Sequence, residues 1–290
     1  MLFGYEIEKQ SDYVVPSDDG MRMAPGTKLT YSVEVSANGV SYSGTSTYTV
    51  LAQNPSGRLY KLTYDVSDSD GNQYQIPERY QLTNDLDTEV LNNGTKVVNT
   101  IDGRLQLNFI RYESGNKIYC DYYNQYSEIL YLSESSDSSS VVKLIQKDVS
   151  WQGTNEYAPS DDLGTTFIFN MTGTMNGSEV SGTYICQIVG DSIEGNALKH
   201  TYSIEGHPTI AYSFVPESTW GAESGTIEAD TVDGHMVLHV YAFTDEDITY
   251  TYFLDEPGGT CYRMIVVGDS MDLLMELESH EKVDFWESQS

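Results

Sequence analysis

Residues 26–66 read GTKLTYSVEVSANGVSYSGTSTYTVLAQNPSGRLYKLTYDV, and residues 164–204 read GTTFIFNMTGTMNGSEVSGTYICQIVGDSIEGNALKHTYSI. The two stretches lie on each other without a gap at a constant offset of 138, with 11 identities in 41 positions. The identities include Gly26/Gly164, Asn38/Asn176, Gly39/Gly177, Gly44/Gly182, Gly57/Gly195 and Tyr64/Tyr202. Apolar positions exchange like for like, as at Leu29/Phe167, Tyr31/Phe169 and Val33/Met171. A second block follows at an offset of 131, where Thr100, Asp102, Gly103 and Leu107 match Thr231, Asp233, Gly234 and Leu238. Upstream, Pro16-Ser17-Asp18-Asp19 recurs as Pro159-Ser160-Asp161-Asp162. The drop in offset predicts one shorter loop in the second half, opposite residues 84–94. A repeat this long is domain-sized, because solenoid and propeller units run about 20–50 residues. The chain therefore reads as a tandem duplication: a lead-in over 1–12, a first copy over 13–151, a linker over 152–163 and a second copy over 164–290.

Inside each copy the dominant period is two. Leu29, Tyr31, Val33 and Val35 alternate with Lys28, Thr30, Ser32 and Glu34, and Tyr60, Leu62, Tyr64 and Val66 alternate with Lys61, Thr63 and Asp65. Leu105, Leu107 and Phe109 do the same, and Met236, Leu238 and Val240 repeat the pattern. Such runs are strands with one face on a core and one in water. Asn38-Gly39, Asp102-Gly103, Asn176-Gly177 and Asp233-Gly234 lie between them, the pairs that accept positive φ in tight hairpins. Consecutive strands joined this way are antiparallel neighbours. The fold class is all-β, two tandem homologous antiparallel domains, each a meander barrel or strongly curved sheet, with a β-sandwich as the alternative. Residues 271–281 pass for a helix by their leucines, but the strand-like counterpart at 141–147 argues for a strand. The predicted inner set is Leu29, Tyr31, Val33, Tyr64, Leu107, Phe169, Tyr202 and Leu238. The predicted outer set is Lys28, Glu34, Lys61 and Arg104.

With 44 acidic residues against 15 basic, the formal charge is −29. A chain so charged is a poor partner for nucleic acid, which needs clustered Lys and Arg, and for an anionic membrane surface. Protein, glycan and small apolar ligands remain as partner classes, and nothing in the sequence speaks to oligomeric state. The 23 Tyr against 8 Phe place amphipathic rings on the predicted inner faces. This composition points to an extracytoplasmic protein whose signal or anchor is absent from the given chain, with a cytoplasmic one as the alternative. No apolar stretch is long enough to cross a bilayer as a helix.

Catalytic motifs are missing: there is no phosphate loop, no Gly-x-Ser-x-Gly elbow, no His-Glu-x-x-His and no Cys-x-x-Cys. No catalytic or cofactor-binding residue is assigned. Cys120, Cys186 and Cys261 have no counterparts in the other copy, so no disulfide belongs to the ancestral unit, although a Cys120–Cys261 bridge between copies is open. Two metals come into consideration: calcium for the acidic surface, zinc for a pair of histidines. The Asp68–Asn72 turn lacks the ligand spacing of an EF-hand and reads as a turn. His235 and His239 share the outer face of one strand, and Glu228 and Asp230 precede the turn on the paired strand, which makes the four a candidate zinc set. His200 replaces Leu62 on an inner face, where a histidine is expected to bond a nearby tyrosine hydroxyl. The expected function is a non-enzymatic binding module or envelope component. The alternatives are a carrier of an apolar ligand in a Tyr-lined interior, and an enzyme acting on polysaccharide or peptide.

Overall fold

The computed structural model describes residues 13–17, 23–37, 39–55, 57–73, 76, 78–83, 89–114, 116–138, 140–150, 162–204, 207–216, 223–245, 247–256 and 259–282. Asn38, Pro159-Ser160-Asp161 and most of the expected linker over 152–163 lie outside them. The chain divides into two compact units, one of Met1–Val50 with Tyr60–Glu156 and one of Leu51–Leu59 with Tyr157–Ser290. The short segment Leu51–Leu59 falls inside the stretch expected to form the first copy, yet it packs with the second unit. There Asn54 Nδ2 donates to the Val189 carbonyl at 2.6 Å, and Asn54 Oδ1 accepts from the Gly57 amide at 2.7 Å.

The strands run in chain order as β1 (Lys28–Ala37), β2 (Val40–Asn54), β3 (Gly57–Asp68), β4 (Arg79–Leu82), β5 (Glu89–Thr100), β6 (Gly103–Ser114), β7 (Lys117–Tyr123), β8 (Leu130–Ser136) and β9 (Ser140–Ser150). They continue as β10 (Thr165–Met175), β11 (Ser178–Ser192), β12 (Gly195–Ile204), β13 (His207–Pro216), β14 (Glu223–Thr231), β15 (Gly234–Asp245), β16 (Ile248–Leu254), β17 (Cys261–Gly268) and β18 (Met271–Lys282). The described residues contain no helix, and the stretch from Met271 is a strand.

In the first unit β5 through β9 form a meander, β9 pairs with β1, and β1 pairs with β2, which runs on to β3 and β4. In the second, β14 through β18 form a meander, β18 pairs with β10, and β10, β11, β12 and β13 follow in turn. Every one of these strand pairs is antiparallel. The first strand of each unit thus lies between the second and the last, so the two runs of strands in each unit join in one continuous sheet. Irregularities recur at the same places. Register shifts fall between Thr30 and Tyr31 against β9 and between Ile168 and Phe169 against β18, and again between Tyr122 and Tyr123 in β7 and between Phe253 and Leu254 in β16.

Alternation decides the faces as expected on most strands. Leu29, Tyr31, Val33, Leu107, Phe169 and Leu238 are buried, while Lys28, Glu34 and Arg104 are exposed. Each buried side chain of this size contributes about 1.5–3 kcal/mol of burial. Tyr64 and Tyr202 are only half-buried: Tyr64 borders a cavity, and Tyr202 stacks on Tyr184 with ring centroids 4.8 Å apart. Lys61 is also intermediate, because its ammonium lies 2.9 Å from Glu78. Strand β5 is exposed on both faces from Glu89 to Lys96 and β14 from Glu223 to Thr226, which their sequences do not announce, while Val98, Ile227 and Ala229 further along pack on the cores.

The repeated glycines have distinct physical reasons. Gly39 and Gly177 adopt φ of +79° and +76° in tight turns, a region costly for side chains other than Gly and Asn. Gly44 and Gly182 have no such φ. A Cβ there would fall on the carbonyl oxygen of Asp65 or of Ser203, so β2 meets β3 and β11 meets β12 at backbone contact. Replacing Gly44 by Ala is expected to cost about 1–3 kcal/mol, the usual range for overpacking, read as a lower melting temperature by circular dichroism. An unchanged melting temperature would contradict the close crossing.

Candidate functional site

The histidines singled out by sequence lie on an exposed face of the β14–β15 hairpin. Asp230 is directly opposite His235 in the ladder, and His235 Nδ1 lies 2.8 Å from Asp230 Oδ1. Glu228 is further off, with its Oε2 at 3.9 Å from His235 Nε2. His239 is engaged elsewhere, its Nδ1 lying 2.9 Å from Glu223 Oε1. The expected convergence of His235 and His239 on one ion therefore does not appear. Residues four apart on a strand are separated by about 13 Å along it, so sharing a face does not bring two imidazoles to a common centre. The described residues include no group of three or more His, Cys, Asp or Glu placed to hold a metal. The pairing with Glu223 escaped the sequence because it depends on a register shift between Glu223 and Gly225, which no turn signal marks.

His280, which the sequence did not single out, and Tyr262 meet on one carboxylate. Asp233 Oδ2 accepts from the Tyr262 hydroxyl at 2.6 Å and lies 2.9 Å from His280 Nε2. These bonds, the Tyr262 one foremost, hold the Asp233 carboxyl below its ordinary range. In the first unit the Tyr131 hydroxyl donates to Asp102 Oδ2 at 2.7 Å in the same way. Both arrangements pin the Asp-Gly turn to a distant strand. The Asp68 carboxylate is likewise consumed by its own turn, accepting from the amides of Asp70 and Asn72 and from Asn72 Nδ2, each at 2.9 Å. The thiols of Cys120, Cys186 and Cys261 are all free, so the Cys120–Cys261 bridge does not form.

His200 does sit where an inner histidine was expected. Its Nδ1 is 2.7 Å from the Tyr184 hydroxyl and its Nε2 2.7 Å from Ser213 Oγ. The imidazole stacks parallel to Tyr184, at 5.9 Å between centroids. Burial alone pushes its pKa down to about 4, so at neutral pH the ring is uncharged, one nitrogen donating and the other accepting. The interior of the second unit is occupied here by rings, with Phe169, Tyr184 and Tyr202 in one stacked series.

The first unit is different inside. A cavity of about 340 Å³ is lined by residues of strands β1, β2, β3, β4, β6, β7, β8 and β9. Val33, Val35, Leu62 and Leu144 form its apolar wall, and Leu62 stands at the position that His200 takes in the sequence repeat. Tyr48 and Tyr64 present their rings, and Tyr112 and Tyr119 border it as a stacked pair 5.0 Å apart. The Tyr112 hydroxyl donates to Asp121 Oδ2 at 2.9 Å, while Asp121 Oδ1 is buried without a hydrogen-bond partner among the described residues. Burial raises the Asp121 carboxyl above its ordinary range, against the lowering bonds of Ser133 and Tyr112. A second, smaller concavity of about 280 Å³ lies beside Asp230 and Tyr262 in the second unit. Its two opposed charges, Arg263 and Glu276, are paired at 2.7 Å.

No protein-family model matches the chain, and no curated protein sequence matches it. Two solved structures show a distant likeness. One is a candidate AttH from Nitrosomonas europaea, 12% identical over 91% of this chain and 98% of that one, with a TM-score of 0.20. The other is a candidate lipoprotein from Parabacteroides distasonis, 10% identical over 90% and 97% of the two chains, with a TM-score of 0.15. At these scores neither likeness carries a conclusion about this chain.

The His200 geometry sets a pH dependence. Unfolded, the ring takes its proton near the ordinary value of 6.5; folded, it resists protonation until about 4. The unfolded state then binds more protons than the folded one as pH falls through that interval, so stability is lost on acidification, by on the order of 3 kcal/mol. His200→Leu, the residue at position 62, should flatten this slope in denaturant titrations between pH 7 and pH 4. A slope unchanged by the substitution would contradict the buried, neutral imidazole.

Proposed function

We propose that the protein is a non-enzymatic, extracytoplasmic binding module whose first unit carries a small apolar ligand. The cavity of the first unit carries the reading. Its volume of about 340 Å³ lies within the roughly 300–1,000 Å³ range of small-molecule sites, and its lining sets Val33, Val35, Leu62 and Leu144, which suit apolar atoms, beside the polar groups of Gln81, Ser133, Ser135 and Ser140, which can orient a ligand. The acidic, tyrosine-rich composition supports the extracytoplasmic placement.

The reading includes a tandem duplication with later divergence. What supports it is the common strand order, the register shifts at matching places, and the matched pairs Tyr131–Asp102 and Tyr262–Asp233. On this reading the two copies kept one skeleton and filled it differently: the first stayed roomy around Leu62, and the second closed around His200.

An uncharged fluorescent naphthylamine, N-phenyl-1-naphthylamine, tests the cavity directly. Its emission should rise and shift to the blue on addition of the full chain, with an affinity on the order of micromolar. Ala37, which borders the cavity, should tolerate Phe without loss of the folded spectrum, and Ala37→Phe should weaken probe binding by about tenfold or more. Equal binding by a folded Ala37→Phe protein would contradict the assignment.

A further inference from the structure

The charged side chains that line the cavity are basic, in a chain that is strongly acidic. Two charged residues are among the described residues that border it, Arg79 and Lys117, and both are cations. The whole sequence has 15 basic residues against 44 acidic, so two cations among the lining residues stand against the composition, although Asp137 beside Lys117 and Asp121 behind Tyr112 lie close by. The two differ in their engagements. Lys117 Nζ lies 3.7 Å from Asp137 Oδ2. Arg79 makes no ion pair among the described residues. Its guanidinium lies 5.8 Å from the centroid of the Tyr64 ring, itself part of the cavity wall. Its charge is also felt at the Tyr119 hydroxyl, where it opposes the upward push of burial. A guanidinium held by a ring face keeps its N–H groups available, and their fork matches a carboxylate or phosphate.

The lining also has an aliphatic part, Val33, Val35, Leu62 and Leu144. A space of about 340 Å³ is at the small end of the roughly 300–1,000 Å³ range of ligand sites, which suits a body of medium length. We infer that the ligand is an amphipathic anion, with a medium-length apolar body in the cavity and a single anionic head at Arg79. The inference rests on the proposed carrier function and adds the head group to it. An uncharged ligand of the same length forgoes the charge-assisted bonds and leaves the cationic rim unmatched.

Isothermal titration of the full chain with decanoate, monodecyl phosphate and 1-decanol, each below its aggregation threshold at pH 7.5, separates the two levels. Both anions should bind, and 1-decanol should bind about tenfold more weakly or worse. Arg79→Gln should bring the anions to within about threefold of the alcohol while leaving the alcohol's own affinity unchanged. Equal binding of alcohol and anions by the unmodified protein, or a preference for anions that survives Arg79→Gln, overturns the head-group inference and leaves the cavity reading standing. Absence of binding by all three overturns the inference, and the uncharged naphthylamine probe then decides whether the cavity reading falls with it.

Discussion

The pairing of each unit's first strand with its last, β1 with β9 and β10 with β18, is the constraint on which the rest of the structure depends. A meander of antiparallel strands can lie open, with two free edges inviting association. Bonding the first strand on both sides joins the two runs of strands in each unit into one continuous sheet. The alternating side chains then separate into two faces, and one face gathers the buried cluster of each unit. The register shifts at Thr30/Tyr31 and Ile168/Phe169 lie on these same strands, where an extra residue increases local twist. Backbone contact at Gly44 and Gly182 tightens the adjoining hairpins.

Once the buried face exists, its contents decide what each unit can do. Tyr31 is buried in the first unit and spends its hydroxyl on the Leu130 carbonyl at 3.0 Å. Tyr184 in the second spends its own on His200. Around them the first unit places Leu62, Val33 and Leu144 along a cavity, and the second places stacked rings. The side chain at the equivalent of position 62 makes the difference chemically sharp: a leucine asks only for apolar neighbours, whereas a buried neutral imidazole must satisfy both nitrogens. The Tyr184 and Ser213 hydroxyls do so. Satisfied in this way, the second interior is a fixed network, while the first has room for something else.

Much of the fold could be read from the sequence because its signals are local. The period of two in Leu29–Val35 and the Asn-Gly and Asp-Gly turns each depend on a few adjacent residues, and they fixed strand type, faces and antiparallel order. The strand from Met271 was legible only through its counterpart in the repeat, since its leucines alone suit a helix. What escaped depends on partners distant in sequence. The grouping of Leu51–Leu59 with the second unit rests on Asn54 reaching Val189. The His239–Glu223 pair rests on a register shift. The cavity is a sum of side-chain volumes over several strands, with Arg79 entering from the short β4, and no window of sequence contains it. The outward histidines attracted attention by their spacing, but on a strand that spacing separates them.

Hydrogen–deuterium exchange tests the first-to-last pairing most directly. Amides of β1 and β10, bonded on both sides, should be the slowest in their units to exchange, well behind those of the exposed β5 and β14. Exchange in β1 or β10 as fast as in β5 or β14 would contradict the pairing of the first strand on both sides and, with it, the interior on which the proposed binding function rests.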